Sequence, residues 1–172
     1  MQSLRNILEA SLLDDIDNIL DDGDEAPRTL IQEYLKENYN GNWTISEKPN
    51  KDGLYEVSSN TNVGVTVKNK KITSLTNDLF IWTNVKGYFD CGDCNSLGSL
   101  EGGPKKVGSS FYCDHCNSLK TLKGAPEEVG RDFICRGCRK LESLEGAPKE
   151  LGGTFSCRQC NSLKTLEGAP KN

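Results

Sequence analysis

Apolar residues recur at helical spacing near the N-terminus, at strand spacing further on, and at one fixed long period over the second half of the chain. Leu4, Ile7, Leu8, Leu12, Ile16, Ile19 and Leu20 fall on one face of a predicted helix, with Ser3 as N-cap and Gly23 as stop. Asp24 and Pro27 open a second helix with Leu30, Ile31, Tyr34 and Leu35 as its apolar face. NYNGN at residues 38–42 ends it. Strand signals come next: NWTISEK, a PNKDG turn, LYEVSS, an NTN turn and VGVTV. Trp43, Ile45, Leu54, Tyr55, Val57, Val65 and Val67 can share a small core, so this region reads as a cap over one end of the remaining chain.

Beyond it the period is 22 residues. Phe89, Phe111, Phe133 and Phe155 keep it, as do Leu97, Leu119, Leu141 and Leu163, and Leu100, Leu122, Leu144 and Leu166. Two cysteine series keep it too: Cys91, Cys113, Cys135 and Cys157, and Cys94, Cys116, Cys138 and Cys160. The unit is F-x-C-x-x-C-x-x-L-x-x-L-x-G-[AG]-P-x-x-[VL]-G-x-x. A fixed period of this length predicts a solenoid, because one coil cannot bury its own apolar strip and stacked coils can. Val65, Val67, Ile72 and Leu75 mark a fainter preceding coil, with Phe80, Trp82 and Val85 in its extended return. Leu75 to Phe89 spans fourteen residues, against eleven from Leu100 to Phe111.

The predicted fold class is therefore an α+β N-terminal cap followed by a β-rich, leucine-rich-repeat-like solenoid of four regular 22-residue coils plus one divergent first coil. The expected organisation is an amphipathic helix at 1–23, a helix and β-hairpin cap at 24–64, the divergent coil at 65–88 and the four repeats at 89–172.

The unit resembles a leucine-rich repeat in its cysteine variant. Phe111 and Cys113 match the two inward strand positions, Cys116 the Asn/Cys position and Leu119 the apolar residue after it. The pattern's leading Leu is missing, and Gly108 stands in its place. The unit is most similar to short cysteine-containing repeats of large bacteriophages, and SLRNILEASLLDDIDNIL and ITSLTNDLFIW look like openings found in crAss-like gut phage proteins. That resemblance implies a phage accessory or virion-associated protein, located in the host cytoplasm or the virion.

Composition narrows the function classes. Residues 1–40 carry ten acids and three bases, and the remainder fifteen acids and eighteen bases. No basic stripe with interleaved aromatics appears, which argues against nucleic-acid binding. No apolar run reaches the ~20 residues needed to cross a bilayer, and the Asp-studded start lacks the basic opening and unbroken apolar core of a secretory signal. DDGDE invites a calcium loop, but Leu20 falls where an oxygen ligand is required. With one His, no nucleophile–base set and no phosphate loop, the chain reads as non-enzymatic. An enzyme with its site in residues 1–60 is the remaining alternative.

The eight cysteines admit two readings. Cys91, Cys94, Cys113 and Cys116 have the C-x2-C-x18-C-x2-C spacing of a zinc ribbon, and Cys135, Cys138, Cys157 and Cys160 repeat it. Thiolates around zinc sit roughly 3.8 Å apart and stacked strands about 4.8 Å apart, so modest tilts would reconcile the two. Against metal, the cysteines share one period with Phe, Leu, Gly and Pro. A buried thiol also packs as a small hydrophobe and can donate weakly to a backbone carbonyl. The favoured reading has no cofactor, with zinc between neighbouring coils as the alternative.

Between Phe and the first Cys stands a residue that alternation points outward: Asp90, Tyr112, Ile134 or Ser156. An exposed Tyr112 beside Ile134, flanked by His115, Arg136 and Arg158, forms a candidate surface for an unidentified protein partner, and the N-terminal amphipathic helix at 1–23, packed on its own domain or detached to dock on a partner, is the other candidate. Phe155, Cys157 and Leu163 in the last coil are expected to be partly open, which allows end-to-end self-association.

Overall fold

The computed structural model describes residues 26–171; the helix predicted over residues 4–20 lies outside them. Ala26–Asn38 forms α1, with Leu30, Ile31 and Leu35 buried. Asn38 closes it: its side-chain amide donates to the Tyr34 carbonyl at 2.9 Å, and its own carbonyl accepts the Lys68 amide at 2.7 Å.

Two sheets build the rest of the described residues. The first contains β1 (Tyr39–Asn40), β4 (Val65–Val67), β6 (Phe89–Asp90), β8 (Phe111–Tyr112), β10 (Phe133–Ile134) and β12 (Phe155–Ser156), in that order. The second contains β2 (Thr44–Ile45), β3 (Tyr55–Ser59), β5 (Phe80–Val85), β7 (Lys106–Val107), β9 (Glu128–Val129) and β11 (Glu150–Leu151). Only the outermost cap pairs, β1 with β4 and β2 with β3, are antiparallel; all others are parallel. The chain is an α+β cap followed by a parallel β-solenoid.

The register is the sequence period made physical. Phe89 pairs with Phe111, Phe111 with Phe133, and Phe133 with Phe155. Identical residues in identical places adopt the same side-chain direction, so the four rings stack at 5.2–5.6 Å within 6–11° of parallel. Trp82, Tyr39, Phe80 and Tyr34 continue the column into the cap as tilted and edge-on rings. The divergent first coil joins through Val65 opposite Phe89. Its longer turn is held by Asn77, whose side-chain oxygen accepts the amides of Leu79 and Phe80 at 2.9 and 2.8 Å.

The second sheet goes beyond the sequence pattern, which predicts one strand face and a return. Val107, Val129 and Leu151 supply one inward residue per coil there. This sheet also reaches back into the cap, since Tyr55 of β3 pairs with Phe80 of β5 in parallel. Gly108, which breaks the leucine pattern, belongs to a file of close approaches: a Cβ on Gly130 would lie 2.2 Å from the Gly108 carbonyl oxygen. Between the sheets, each L-x-G-[AG] stretch turns the chain. Ala125 N–H donates to the Leu122 carbonyl at 2.9 Å with Gly124 at φ 85°, the positive φ that a type II turn reserves for glycine.

In the last coil Phe155, Cys157 and Leu163 are half-buried, and Leu166 is 66% exposed, where the matching residues of the preceding coils are buried. No helix among the described residues is long and apolar enough to cross a membrane.

Candidate functional site

The inner wall of the solenoid sets where the outer residues sit. All eight cysteines are free thiols, seven buried and Cys157 half-buried. The second thiol of each CxxC aims back at the carbonyl of the first cysteine one coil earlier: Cys116 to Cys91 at 3.2 Å, Cys138 to Cys113 at 3.0 Å, Cys160 to Cys135 at 3.1 Å. No backbone N–H among the described residues donates to these three carbonyls, so the thiol is their donor. The Cys91 thiol bonds forward to the Tyr112 carbonyl at 3.4 Å.

Thiol neighbours and burial make the inner file hard to ionise. The Cys116 thiol, then burial, raise Cys91; burial, then the thiols of Cys135 and Cys138, raise Cys113; burial pushes Cys94 up to about 12. Among the described residues no group of three or more His, Cys, Asp and Glu side chains is arranged to hold a metal ion.

The x-x of each CxxC makes the outer surface. Its second residue takes a left-handed conformation in every coil: Asp93 at φ 60°, His115 at 56°, Gly137 at 70° and Gln159 at 61°. That turn sends the chain round so that the following thiol points inward while the intervening side chains face out. Asp93, Tyr112, Asp114, His115, Asp132, Ile134, Arg136 and Gln159 line the resulting groove of 660 Å³.

Its hydrogen bonds tie coil to coil. Asp114 Oδ1 accepts the Arg136 amide at 3.1 Å, and Asp132 Oδ1 the Thr154 amide at 2.8 Å. His115 Nδ1 stands 3.5 Å from Asp93 Oδ1, and its ring covers Gly137, where an added Cβ would come within 2.4 Å of His115 Cδ2. Burial raises the Asp114 carboxyl above its ordinary value. Tyr88 meets Tyr112 edge-on at 6.3 Å and extends the groove's aromatic edge.

Four of the five candidate contact residues, Tyr112, His115, Ile134 and Arg136, converge here; Arg158 is exposed but does not line the groove. One expectation is corrected. Ile134 is only 9% exposed and Tyr112 is half-buried. Arg136 Nε reaches across to Ser156 Oγ at 2.9 Å, and Ser156 is buried as well, so Ile134 lies between covered neighbours instead of standing free. Asp93, Asp132 and Gln159 are groove residues that sequence reasoning did not single out. The signal for Asp93 and Gln159 was present: they share the 22-residue period with His115.

A second groove of 640 Å³ crosses the other sheet over Gly108, Gly130 and Gly152. On its rim Lys106 pairs with Glu128, and the neighbouring Lys149 pairs with Glu127 at 3.4 Å.

Comparison with protein-family models, with curated proteins and with solved structures returned no match.

Proposed function

We propose that the chain is a non-enzymatic binding module that receives a segment of another protein in the groove between the CxxC turns. One observation carries this. The inward residues of the four coils repeat almost unchanged, the outward ones differ from coil to coil, and the differing ones converge in one groove. Stacking accounts for the first set and places no demand on the second. The groove offers Asp93, Asp114 and Asp132 against one guanidinium, beside Tyr112 and Ile134, which suits a segment carrying a basic and an apolar side chain. The cysteines build the wall that displays these residues. The repeat's resemblance to phage sequences makes an accessory or virion-associated setting the natural context.

The test compares full-length wild type with a Tyr112→Ala/His115→Ala/Arg136→Ala variant in affinity capture from cells that make the protein. Far-UV circular dichroism shows whether the variant retains the fold. The reading expects a protein that wild type retains and the folded variant loses. An identical set on both sinks it.

A further inference from the structure

A groove of 740 Å³ lies between the end of α1 and the turn after β4, at the cap end of the solenoid. Buried Ile72 and half-buried Tyr34 contribute apolar surface, and Lys68, Lys70, Lys71 and Glu37 bring three positive charges against one negative. Lys68 Nζ donates to the Lys36 carbonyl at 2.8 Å and Lys70 Nζ to the Gly92 carbonyl at 2.7 Å. Those acceptors are neutral. Among the described residues none of the three lysines meets a carboxylate, so the groove keeps its positive field.

The chain carries a segment of complementary chemistry. Residues 1–25 hold Glu9, Asp14, Asp15, Asp17, Asp21, Asp22, Asp24 and Glu25 against Arg5 alone, together with the apolar stripe from Leu4 to Leu20. We infer that this acidic amphipathic segment docks in the Lys68–Lys71 groove of its own molecule. The lengths agree. The 13 residues of α1 span roughly 18–20 Å from residue 26 to the groove. Nine to twelve residues separate Asp17, Asp15 and Asp14 from residue 26, and a chain of that length reaches up to roughly 30–40 Å, more than α1 spans. A tether this short holds the segment at an effective concentration in the millimolar range, enough for ion pairs and a narrow apolar contact to close it. The segment thereby completes the cap.

Hydrogen exchange of the full-length chain, read by mass spectrometry, tests this. In wild type at low salt, peptides covering 66–77 and 1–25 should both be protected. Asp14→Lys/Asp15→Lys/Asp17→Lys should speed exchange in 66–77 about ten-fold, the factor expected from three exposed ion pairs. Adding Lys68→Glu and Lys71→Glu to that variant should restore protection. Unchanged exchange at Phe111 and Phe133 shows that the solenoid is intact throughout. An unaltered rate over 66–77 in the charge-reversed variant overturns the inference. So does protection that disappears on dilution, which would make the occupant a second copy.

Discussion

Phe133→Ala and Phe155→Ala remove the same side chain from the same place in two coils, and they should differ sharply in cost. Phe133 is fully buried, with Phe111 on one side at 5.2 Å and Phe155 on the other at 5.5 Å. Its loss empties a site that neighbouring coils cannot collapse into without breaking register, so the upper part of the Phe→Ala range applies, about 4–5 kcal/mol. Phe155 is half-buried and has a ring on one side only. Half of a full phenylalanine burial plus one ring contact comes to roughly 1–3 kcal/mol. The expected gap is therefore about 2 kcal/mol. Urea unfolding should be followed by circular dichroism for the sheets and by fluorescence of Trp43 and Trp82, which sit in the cap and the first coil. Stacked coils gain stability from nearest neighbours, so Phe133→Ala should also separate the two probes: the far coils melt first and the tryptophans later. Phe155→Ala should lower both midpoints slightly and together. Equal costs for the two variants, or coincident transitions in Phe133→Ala, would refute a stability carried by stacked neighbours.

Single contacts give further expected outcomes. Asn117 Nδ2 donates to Asn95 Oδ1 while Asn117 Oδ1 is buried without a partner, because Arg139 holds the next place in the file. Arg139→Asn should supply the missing donor and raise stability by about 0.5–1.5 kcal/mol; no gain in a urea titration would deny the ladder. Burial holds the Asp114 proton above the ordinary range. From about pH 4 upward the native chain therefore keeps a proton that the unfolded chain has released, and this group's effect lowers stability as pH rises through that window. Asp114→Asn keeps an oxygen for the Arg136 amide, so it should raise the melting temperature at pH 7 and leave it unchanged near pH 3; an equal shift at both would contradict the assignment. Iodoacetamide applied to the native protein should modify Cys157 before the seven buried thiols, since Cys157 alone is half-buried; peptide mapping that finds uniform labelling would count against the closed wall. Protein purified with reductant and added zinc should carry no stoichiometric metal and should not unfold with chelator, and bound zinc by elemental analysis would replace the wall with a metal module.

The stacking was legible because each inward residue is tested by its own copies. Phe111 alone suits many folds; Phe89, Phe111, Phe133 and Phe155 at one interval admit few. The second sheet was harder to see. Its strands β7, β9 and β11 are two residues long with one inward residue apiece, too short for alternation to show. Ile134 escapes the pattern for a different reason. Alternation does place it on the outer side, but Arg136 bridging to Ser156 is a contact between residues that do not recur, and no periodicity reports it.

The CxxC pairs show the same limit and also what lies past it. Spacing leaves two readings open because stacked strands and tetrahedral zinc ask for similar sulfur separations. What spacing cannot hold is the direction of each thiol, and that depends on the left-handed residue just before it: Asp93, His115, Gly137 or Gln159. A left-handed backbone costs an ordinary side chain roughly 1–2 kcal/mol and glycine almost nothing. Three of four coils nevertheless carry a side chain there, and each of these lines the groove. Stability alone would favour the residue found at Gly137 in all four places. Gln159→Gly should accordingly stabilise the fold while removing a groove wall. If the groove is where the protein binds, that gain in stability will come with a loss of capture.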